Sequence, residues 1–409
     1  MSAALDPIEP TITLDRLHPP RTAFTPRAQY ADGPWVFLAP FRVDSAAGLA
    51  LPVTGAMPAV CHEQLLTRSA RQFFEQCGVQ LDERLASGLV NTYATEEQAY
   101  ALASGLADTG YRLAGPYPIP ADRIPPGAAL VPNDLYGWLN DKANLAELVA
   151  PVDARLLPPF VLLDPDDTAG LLDAFGSEAV FVKACVAGAC GSGVDIRYCV
   201  DEAARRAAIA WLAGGPPHHA VRVERALDLR TGWGMTVAVL DDTVAYVGSA
   251  MQLIERPGEQ CGSRVDPACQ PPVELVEASV AVADDARRRG YRGVAGFDVA
   301  VTTAGAPVMF DLNFRMVSST PQLLLHESAT GRVGTAVSDS FDASVDGPLE
   351  AALERLAPFG ERGEFVPIRL WEASEASDNI SLITGMVVGD TPAHTTSLAH
   401  QLRHALAVH

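Results

Sequence analysis

Residues 308–316 read V-M-F-D-L-N-F-R-M, and this stretch decides the predicted fold. In an extended strand, successive side chains alternate between two faces. One face of this strand is apolar throughout, whereas the other carries Asp311, Asn313 and Arg315 after Met309. An ordinary solvent-facing strand also tolerates such a polar row, so the neighbouring sequence has to distinguish a surface strand from a functional one.

A second predicted strand lies just upstream, at residues 294–301 (V-A-G-F-D-V-A-V), and it is rich in β-branched and small residues. The intervening T-T-A-G-A-P has the composition of a turn. A hairpin that closes symmetrically about this turn pairs Val301 with Val308 and places Asp298 opposite Asp311. We therefore predict two carboxylates facing each other across the ladder.

Two opposed carboxylates need a positive charge between them. Directly opposite residues have Cβ atoms about 5 Å apart, where like charges destabilise a sheet. Partial burial adds to the conflict by raising the pKa of one carboxyl group. A hard divalent cation resolves the conflict, and Mg²⁺ bound by one or two carboxylates and by substrate phosphates is the usual form. Asp298 and Asp311 therefore predict a metal site.

The composition of the chain limits its partners. Its 409 residues suggest two or three domains, and its net charge is −20. Because phosphate backbones and anionic surfaces are bound by basic proteins, we expect neither a nucleic-acid nor a membrane partner. The chain contains no apolar run of 18 residues, and its start, M-S-A-A-L-D-P, lacks the features of a secretory signal. We therefore expect a cytoplasmic protein.

Lysine is rare in this chain, which uses arginine at 28 of its 30 basic positions. The two exceptions are Lys142 and Lys183. Lysine is a compact point charge that suits phosphate oxygens in a confined site, so both positions are candidates for phosphate contact. The seven cysteines are odd in number and include no C-x-x-C pair, which favours buried thiols in a reducing compartment.

A glycine-rich segment follows the strand that contains Lys183. Residues 179–186 (A-V-F-V-K-A-C-V) and 194–199 (V-D-I-R-Y-C) are predicted strands, so G-A-C-G-S-G at 188–193 forms the tip of a hairpin. A Walker A loop would require G-K-[ST] at the start of a helix. A glycine-rich flap can instead place its backbone N–H groups over phosphates. A simple flexible turn is the alternative, and the nearby Lys183 favours phosphate contact.

Three further segments complete the pattern. Residues 133–149 are a predicted helix that carries Lys142, and residues 221–227 (V-R-V-E-R-A-L) are a predicted strand that ends near Glu224. Residues 254–272 are a predicted loop. Residues 1–132 resemble a small α/β domain, but they contain no G-x-G-x-x-G, so we do not expect this region to bind a dinucleotide alone.

The order of these features resembles the ATP-grasp superfamily. A D-K on a helix, a V-K before a glycine-rich hairpin, a strand-terminal Glu and a hairpin with paired Asp and D-x-N-x-R follow one another over about residues 133–330. The layout is most similar to peptide and amino-acid ligases of natural-product pathways. The resemblance implies an α/β (α+β) ATP-grasp fold with four regions: a pre-ATP-grasp domain (1–132), two grasp subdomains (133–226 and 227–335) and a C-terminal extension (336–409).

The resemblance also implies a role for each matching residue. The positions expected to bind ATP are Lys142, Lys183, Gly188, Gly191, Ser192, Gly193, Glu224, Arg225, Ala226 and Leu227. The positions expected to hold Mg²⁺ are Asp298, Asp311 and Asn313. Arg315 and Lys183 would be catalytic, with Arg315 facing the transferring phosphate. The family more often has Glu at the second metal position, where this chain has the shorter Asp311.

The implied reaction is ATP-dependent joining of a small-molecule carboxylate and an amine, such as amino acids or peptides, through an acyl phosphate. Arg256 or Arg264 could bind a substrate carboxylate bidentately, although both could equally be surface residues. Two alternatives stay open: an ATP-grasp enzyme with another acceptor, such as a carboxylase or a small-molecule kinase, and a nucleotide-binding protein without catalysis. A homodimer is expected from the family.

Overall fold

The computed structural model describes residues 6–26, 39–188, 193–374 and 377–407. Its first unit is a four-stranded parallel sheet flanked by helices. The strands are β1 (Thr22–Phe24), β2 (Ala59–His62), β3 (Val90–Tyr93) and β4 (Arg112–Ala114), in the order β3-β2-β1-β4. The helices are α1 (Pro40–Ser45), α2 (Arg68–Gln76), α3 (Asp82–Ala86) and α4 (Glu96–Asp108). The predicted N-terminal α/β unit is confirmed.

The second unit is a four-stranded antiparallel sheet covered by helices on one face. Helices α5 (Asn133–Asn140) and α6 (Leu145–Asp153) precede this unit in the chain and pack in the core of the eight-stranded sheet described below, whereas α7 (Thr168–Asp173) and α8 (Glu202–Gly214) cover the unit itself. Its strands are β5 (Phe160–Leu163), β6 (Val180–Cys185), β7 (Ile196–Cys199) and β8 (Ala220–Arg225), in the order β5-β8-β6-β7. Val180, Val182 and Val223 lie in the core with α7 and α8. By strand alternation, Lys183 and Glu224 lie on the opposite face.

An antiparallel sheet of eight strands forms the largest unit. Its strands are β9 (Leu229–Val239), β10 (Val244–Arg256), β11 (Glu259–Val265), β12 (Gly293–Thr302), β13 (Pro307–Asn313), β14 (Val337–Asp346), β15 (Phe365–Trp371) and β16 (Ile380–Gly389). Their order is β13-β12-β9-β10-β11-β14-β16-β15. The accompanying helices are α9 (Val273–Arg289), α10 (Ser319–Val333), α11 (Leu349–Glu361) and α12 (Pro392–Ala407). The boundary predicted at residue 335 therefore falls within a single sheet.

The first unit and the C-terminal strands share one hydrophobic core. Phe24 and Phe73 of the first unit belong to the same buried cluster as Phe365 and Trp371 of β15. A second cluster lies beneath the other end of the large sheet, where α9 packs on β9 and β12 through residues such as Val282. The first of these two clusters fixes the N-terminal unit against the large sheet. Among the described residues, no helix is both long and apolar enough to cross a membrane.

The hairpin of β12 and β13 confirms the central prediction and corrects its register near the turn. Asp298 lies opposite Asp311, but Val301 pairs with Pro307 and not with Val308. A bulge between Asp298 and Val299 leaves Phe310 as the extra residue of β13. The bulge changes which side chains face the core: Met309 is fully buried, whereas Phe310 is only partly buried.

Two other predicted segments differ from the structure. The predicted loop at 254–272 is largely a hairpin, because β10 extends to Arg256 and β11 begins at Glu259. The predicted helix at 133–149 is interrupted after α5, where Asp141 is extended and its carboxylate accepts a hydrogen bond from the N–H of Ala143. A 3₁₀ turn (Lys142–Asn144) then precedes α6. This interruption takes Lys142 off a regular helix and, as described below, to the cleft.

A buried histidine in the first unit predicts a specific acid sensitivity. His18 is 7% exposed, and its Nδ1 donates a hydrogen bond to the carbonyl of Leu14. Burial lowers the pKa of His18 to about 4, although the bond to Leu14 acts in the opposite direction. Because the unfolded chain binds this proton near pH 6.5, stability is lost as the pH falls from 6.5 to about 4. The full penalty is about 3 kcal/mol.

A His18→Asn variant, whose amide can still donate to Leu14, should lack this penalty. We expect the unfolding free energy, measured by urea denaturation, to fall less for the variant than for the wild type as the pH is lowered from neutrality to 4.5. A constant difference in unfolding free energy over that range would show that His18 does not titrate in this way.

Candidate active site

Seven of the sixteen predicted site residues come together between the antiparallel four-stranded sheet and the eight-stranded sheet, in the space called the cleft below: Lys142, Lys183, Glu224, Asp298, Asp311, Asn313 and Arg315. The ammonium group of Lys183, on β6, donates a hydrogen bond to the carbonyl of Phe310 on β13 at 3.0 Å. A Cβ atom on Gly258, at the tip of the β10–β11 hairpin, would lie 3.0 Å from the Phe181 ring. The two sheets thus meet at β6. The hairpin of β12 and β13, called the carboxylate hairpin because it carries Asp298 and Asp311, faces Lys183.

The opposed carboxylates differ in how strongly they hold a proton. Burial, followed by the negative charge of Asp311, raises the pKa of Asp298 to about 7. Burial would also raise the pKa of Asp311, but nearby cations, Lys142 first among them, hold that pKa below its usual value. The like-charge conflict predicted from the sequence is therefore present in the folded chain.

Three cationic side chains surround this pair. The Nζ of Lys142 lies 2.8 Å from a carboxylate oxygen of Asp195 and 3.7 Å from one of Asp311. Arg315 donates a hydrogen bond to the side-chain oxygen of Asn313 at 3.2 Å, and its guanidinium lies over the ring of Tyr117. Together with Lys183, these groups lower the pKa of Asp311 and oppose the rise for Asp298.

Glu224 is held by two cations at once. One oxygen lies 2.6 Å from the Nζ of Lys183, and the other accepts a hydrogen bond from the Nε of Arg222. Arg222 is fully buried and stacks on the ring of Phe160, with its guanidinium carbon 3.7 Å from the ring centre. Sequence reasoning missed Arg222. Its spacing of two from Glu224 on the same strand was the signal that could have found it.

The residues at the helix interruption connect the parts of the cleft. Asn140 accepts a hydrogen bond from the backbone N–H of Phe314, the residue after β13, at 2.9 Å. The carboxylate of Asp141 lies 2.6 Å from the Nε2 of His219, next to the start of β8. With Lys142 paired to Asp195, this short segment contacts the hairpin of β12 and β13 and the residues that immediately precede β7 and β8.

The donor set of the hairpin fits a hard cation. Asp298, Asp311 and Asn313 offer carboxylate and amide oxygens, which are the ligands that Mg²⁺ prefers. The amide of Asn313 also donates to Asp311 at 3.3 Å, so these two side chains already lie together. Within the described ranges, no group of three or more His, Cys, Asp and Glu residues forms a separate metal site.

Two models of known protein families match this chain. A family model described as the L-aspartate–L-methionine ligase N-terminal domain matches residues 13–137, and one described as L-aspartate–L-methionine ligase, ATP grasp, matches residues 177–313. Together they span more than half of the chain. The chain belongs to the ATP-grasp ligases. The ligase is thus an ADP-forming enzyme that makes carbon–nitrogen bonds, as the sequence predicted.

Solved structures show the same fold at low sequence identity. N5-carboxyaminoimidazole synthetase from Staphylococcus aureus is 11% identical with a TM-score of 0.55, covering 99% of the ligase and 100% of that chain. The same enzyme in complex with ADP is 10% identical with a TM-score of 0.56, and the match covers 97% of the ligase and 99% of that chain. L-amino acid ligase from Bacillus licheniformis is 13% identical with a TM-score of 0.54, and the match covers 86% of the ligase and 97% of that chain. The ATP-grasp fold with an N-terminal domain is confirmed.

The remaining predicted residues of the ligase lie at the edges of this cleft or outside it. Gly188 and Gly193 are the first and last residues of the glycine segment, whereas Gly191 and Ser192 lie outside the described residues. At the end of β8, the N–H groups of Arg225 and Ala226 donate to the carbonyls of Pro159 and Ala179, and Leu227 follows. The roles of these positions in nucleotide binding stay predictions.

The two arginines considered for the substrate carboxylate are engaged elsewhere. Arg256 is exposed at the end of β10 and pairs with Glu259 across the hairpin turn. Arg264 makes a bidentate ion pair with Asp339 on the neighbouring strand β14, with both N–O distances at 2.7 Å. We therefore do not assign either arginine to the substrate.

The buried ion pair between Lys142 and Asp195 predicts a stability effect. Both side chains are buried, and removing one partner of such a pair typically lowers the unfolding free energy by roughly 3–5 kcal/mol. An Asp195→Asn variant of the ligase should therefore melt at a lower temperature than wild type in calorimetry. Asp153, which is only partly buried, also pairs with an arginine, the exposed Arg155, so Asp153→Asn is the matched control and should change the midpoint little. Equal midpoints for both variants would contradict the expected contribution of Asp195.

Proposed function

We propose that the ligase joins two amino acids, with L-aspartate and L-methionine as the first pair to be considered. Both matching family models carry the name of L-aspartate–L-methionine ligase, and an L-amino acid ligase is among the solved structures that share the fold. The predicted product is a dipeptide or related amide of specialised metabolism.

The observation that carries the proposal is the arrangement of Lys142, Lys183 and Arg315 around the opposed carboxylates. Phosphoryl transfer requires little covalent chemistry from a protein, and it depends on positioning and on neutralising charge at the phosphate oxygens. Cationic groups act strongly in a site that excludes water. The three cations lie within one cleft beside a donor set for Mg²⁺, which is the combination that such a transfer needs.

The proposed reaction has two steps. A carboxylate oxygen of the first substrate attacks the γ-phosphorus of ATP, and the bond to the bridging oxygen breaks to release ADP. The amine nitrogen of the second substrate then attacks the carbonyl carbon of the acyl phosphate. Inorganic phosphate leaves, the nitrogen loses a proton, and the amide remains. Water must be kept away from the acyl phosphate, because its hydrolysis would waste ATP.

Each side chain has a defined part in these steps. Lys142 and Lys183 bind phosphate oxygens and hold ATP in line with the carboxylate. Arg315 stabilises the negative charge that develops on the transferring phosphoryl group. Asp298, Asp311 and Asn313 would hold Mg²⁺, which when bound neutralises charge on the β- and γ-phosphates. The glycine segment from Gly188 to Gly193 would cover the phosphates.

A pairwise substrate panel tests the proposal. The purified ligase is incubated with ATP, Mg²⁺ and each combination of amino acids and dipeptides, and both ADP release and product mass are recorded. We expect ADP release to require a carboxylate and an amine together, with the dipeptide mass appearing in parallel. ADP release that instead requires bicarbonate, or that yields a phosphorylated product, would favour the alternative acceptors. Absence of ADP release with every pair would contradict the proposal.

A further inference from the structure

Gln252, which lies two strands away, contacts the carboxylate hairpin. Gln252 lies on β10, whereas Asp298 lies on β12, and β9 runs between them. Despite this separation, the side-chain amide of Gln252 donates a hydrogen bond to Oδ1 of Asp298 at 2.7 Å. Neighbouring strands lie about 4.8 Å apart, so the amide must cross the face of the central strand to make this contact.

The sequence of β9 makes this crossing possible. The strand reads G-W-G at residues 232–234, and Trp233 points into the buried core, so the glycines occupy the face towards the cleft. Gly232 pairs with Ala300 of β12, and Met251 of β10 pairs with Trp233. A Cβ atom on Gly232 would lie only 2.9 Å from the Oε1 of Gln252. The missing side chain at 232 therefore leaves the space that the Gln252 amide occupies.

An amide suits this position because it carries no net charge. A carboxylate there would add a third negative charge beside Asp298 and Asp311, and like charges at such distances destabilise a sheet. A lysine or arginine would neutralise Asp298 and compete with a metal ion for it. The amide instead supplies a hydrogen-bond donor without a net charge. It fixes one oxygen of Asp298 and leaves the negative charge of the ionised carboxylate in place.

We propose that Gln252 is a positioning residue of the metal site, acting through Asp298 across the gap at Gly232. The inference rests on the proposed function, because it takes Asp298 to be a ligand of nucleotide-bound Mg²⁺. A carboxylate whose orientation is already fixed loses less conformational freedom when it binds a cation. Partners that orient metal ligands typically contribute about 10–100-fold to metal affinity or activity.

The test measures metal affinity as well as turnover. Mn²⁺ replaces Mg²⁺, and its binding to the ligase with a non-hydrolysable ATP analogue is followed by the loss of the free Mn²⁺ signal in electron paramagnetic resonance. Gln252→Met keeps the length of the side chain and removes the donor, so we expect Mn²⁺ affinity to fall at least tenfold. Gln260→Met, at an exposed position on β11, is the matched control and should remain within twofold of wild type.

A glycine substitution tests the same contact without changing the glutamine. Gly232→Ala should push the Gln252 amide away and weaken Mn²⁺ binding as Gln252→Met does. Gly234→Ala is its control: the added Cβ would meet the Oγ of Ser319 at 3.5 Å and Oδ1 of Asp298 at 3.8 Å, both ordinary contacts, so it adds a methyl group beside Asp298 without displacing Gln252. The double variant of Gln252→Met and Gly232→Ala should lose no more affinity than either single variant, since both act through one hydrogen bond.

The outcomes separate this inference from the proposed function. Weak binding in Gln252→Met and Gly232→Ala, with normal binding in both controls, supports the positioning role. Wild-type affinity in Gln252→Met or Gly232→Ala, with normal nucleotide-dependent binding by the wild type, would overturn the inference and leave the proposed function intact. A wild type that binds no Mn²⁺ with the nucleotide analogue would overturn the metal assignment itself.

Discussion

An Asp311→Ala variant is expected to lose amine-dependent ADP formation by about 10²–10³-fold, the range typical of removing a group that stabilises transition-state charge. Asp311 lies directly opposite Asp298, and its pKa is held low by Lys142, Lys183 and Arg315, so it is the more readily ionised of the two carboxylates. Its removal leaves the proposed Mg²⁺ with one carboxylate. The rate is measured as ADP release with the best substrate pair.

The fold should survive this substitution. Removing Asp311 relieves the like-charge conflict with Asp298, and Lys142 keeps its closer partner, Asp195. The variant also loses the attraction between Asp311 and the cations around it, so we expect its thermal unfolding midpoint, without nucleotide, to stay close to that of the wild type. Asp242→Ala, which removes an exposed carboxylate from the turn between β9 and β10, is the matched control. If Asp311→Ala kept the wild-type rate, the hairpin would not be the catalytic metal site.

A Lys183→Ala variant should show a loss of similar size in kcat/KM for ATP. Lys183 is buried on β6, bridges Glu224 and the carbonyl of Phe310, and would bind phosphate oxygens in the proposed reaction. Removing one preorganised electrostatic contact of this kind typically costs about 10²–10³-fold. Steady-state kinetics at varied ATP, with ADP release as the signal, measures the effect.

The same variant should remain folded because Glu224 retains Arg222 as its partner. Arg197→Ala is the matched control: Arg197 lies on β7 next to β6, but its guanidinium is placed over Trp211 of α8, away from the cleft. We expect normal kinetics from this control. Should Lys183→Ala and Arg197→Ala behave alike, the phosphate-binding role of Lys183 would be refuted.

Local sequence pattern was sufficient to predict the centre of the site. Asp298 and Asp311 were placed opposite each other because a hairpin ladder has a period of two and the turn between the strands is short. The prediction held at the carboxylates although the register near the turn was wrong. The extra residue of the bulge, Phe310, restores the predicted alignment beyond it. The bulge itself has no glycine or other marker in the sequence.

The contacts between distant segments could not be predicted in this way. The end of α5 depends on Asp141, which contacts His219 far along the chain, and this tertiary contact outweighs the helical periodicity of residues 133–149. The sequence predicts a loop around Arg264, which makes this arginine a candidate for the substrate carboxylate. The structure places it on β11 beside Asp339, a neighbour that only the sheet order reveals.

The most direct test of the account is a crystal structure of the ligase with a non-hydrolysable ATP analogue and Mg²⁺. We expect an ion bound by oxygens of Asp298, Asp311 and Asn313, in contact with the β- and γ-phosphates, with Lys142 and Lys183 at phosphate oxygens. An analogue bound outside the cleft, or an ion bound without Asp298 and Asp311, would contradict it.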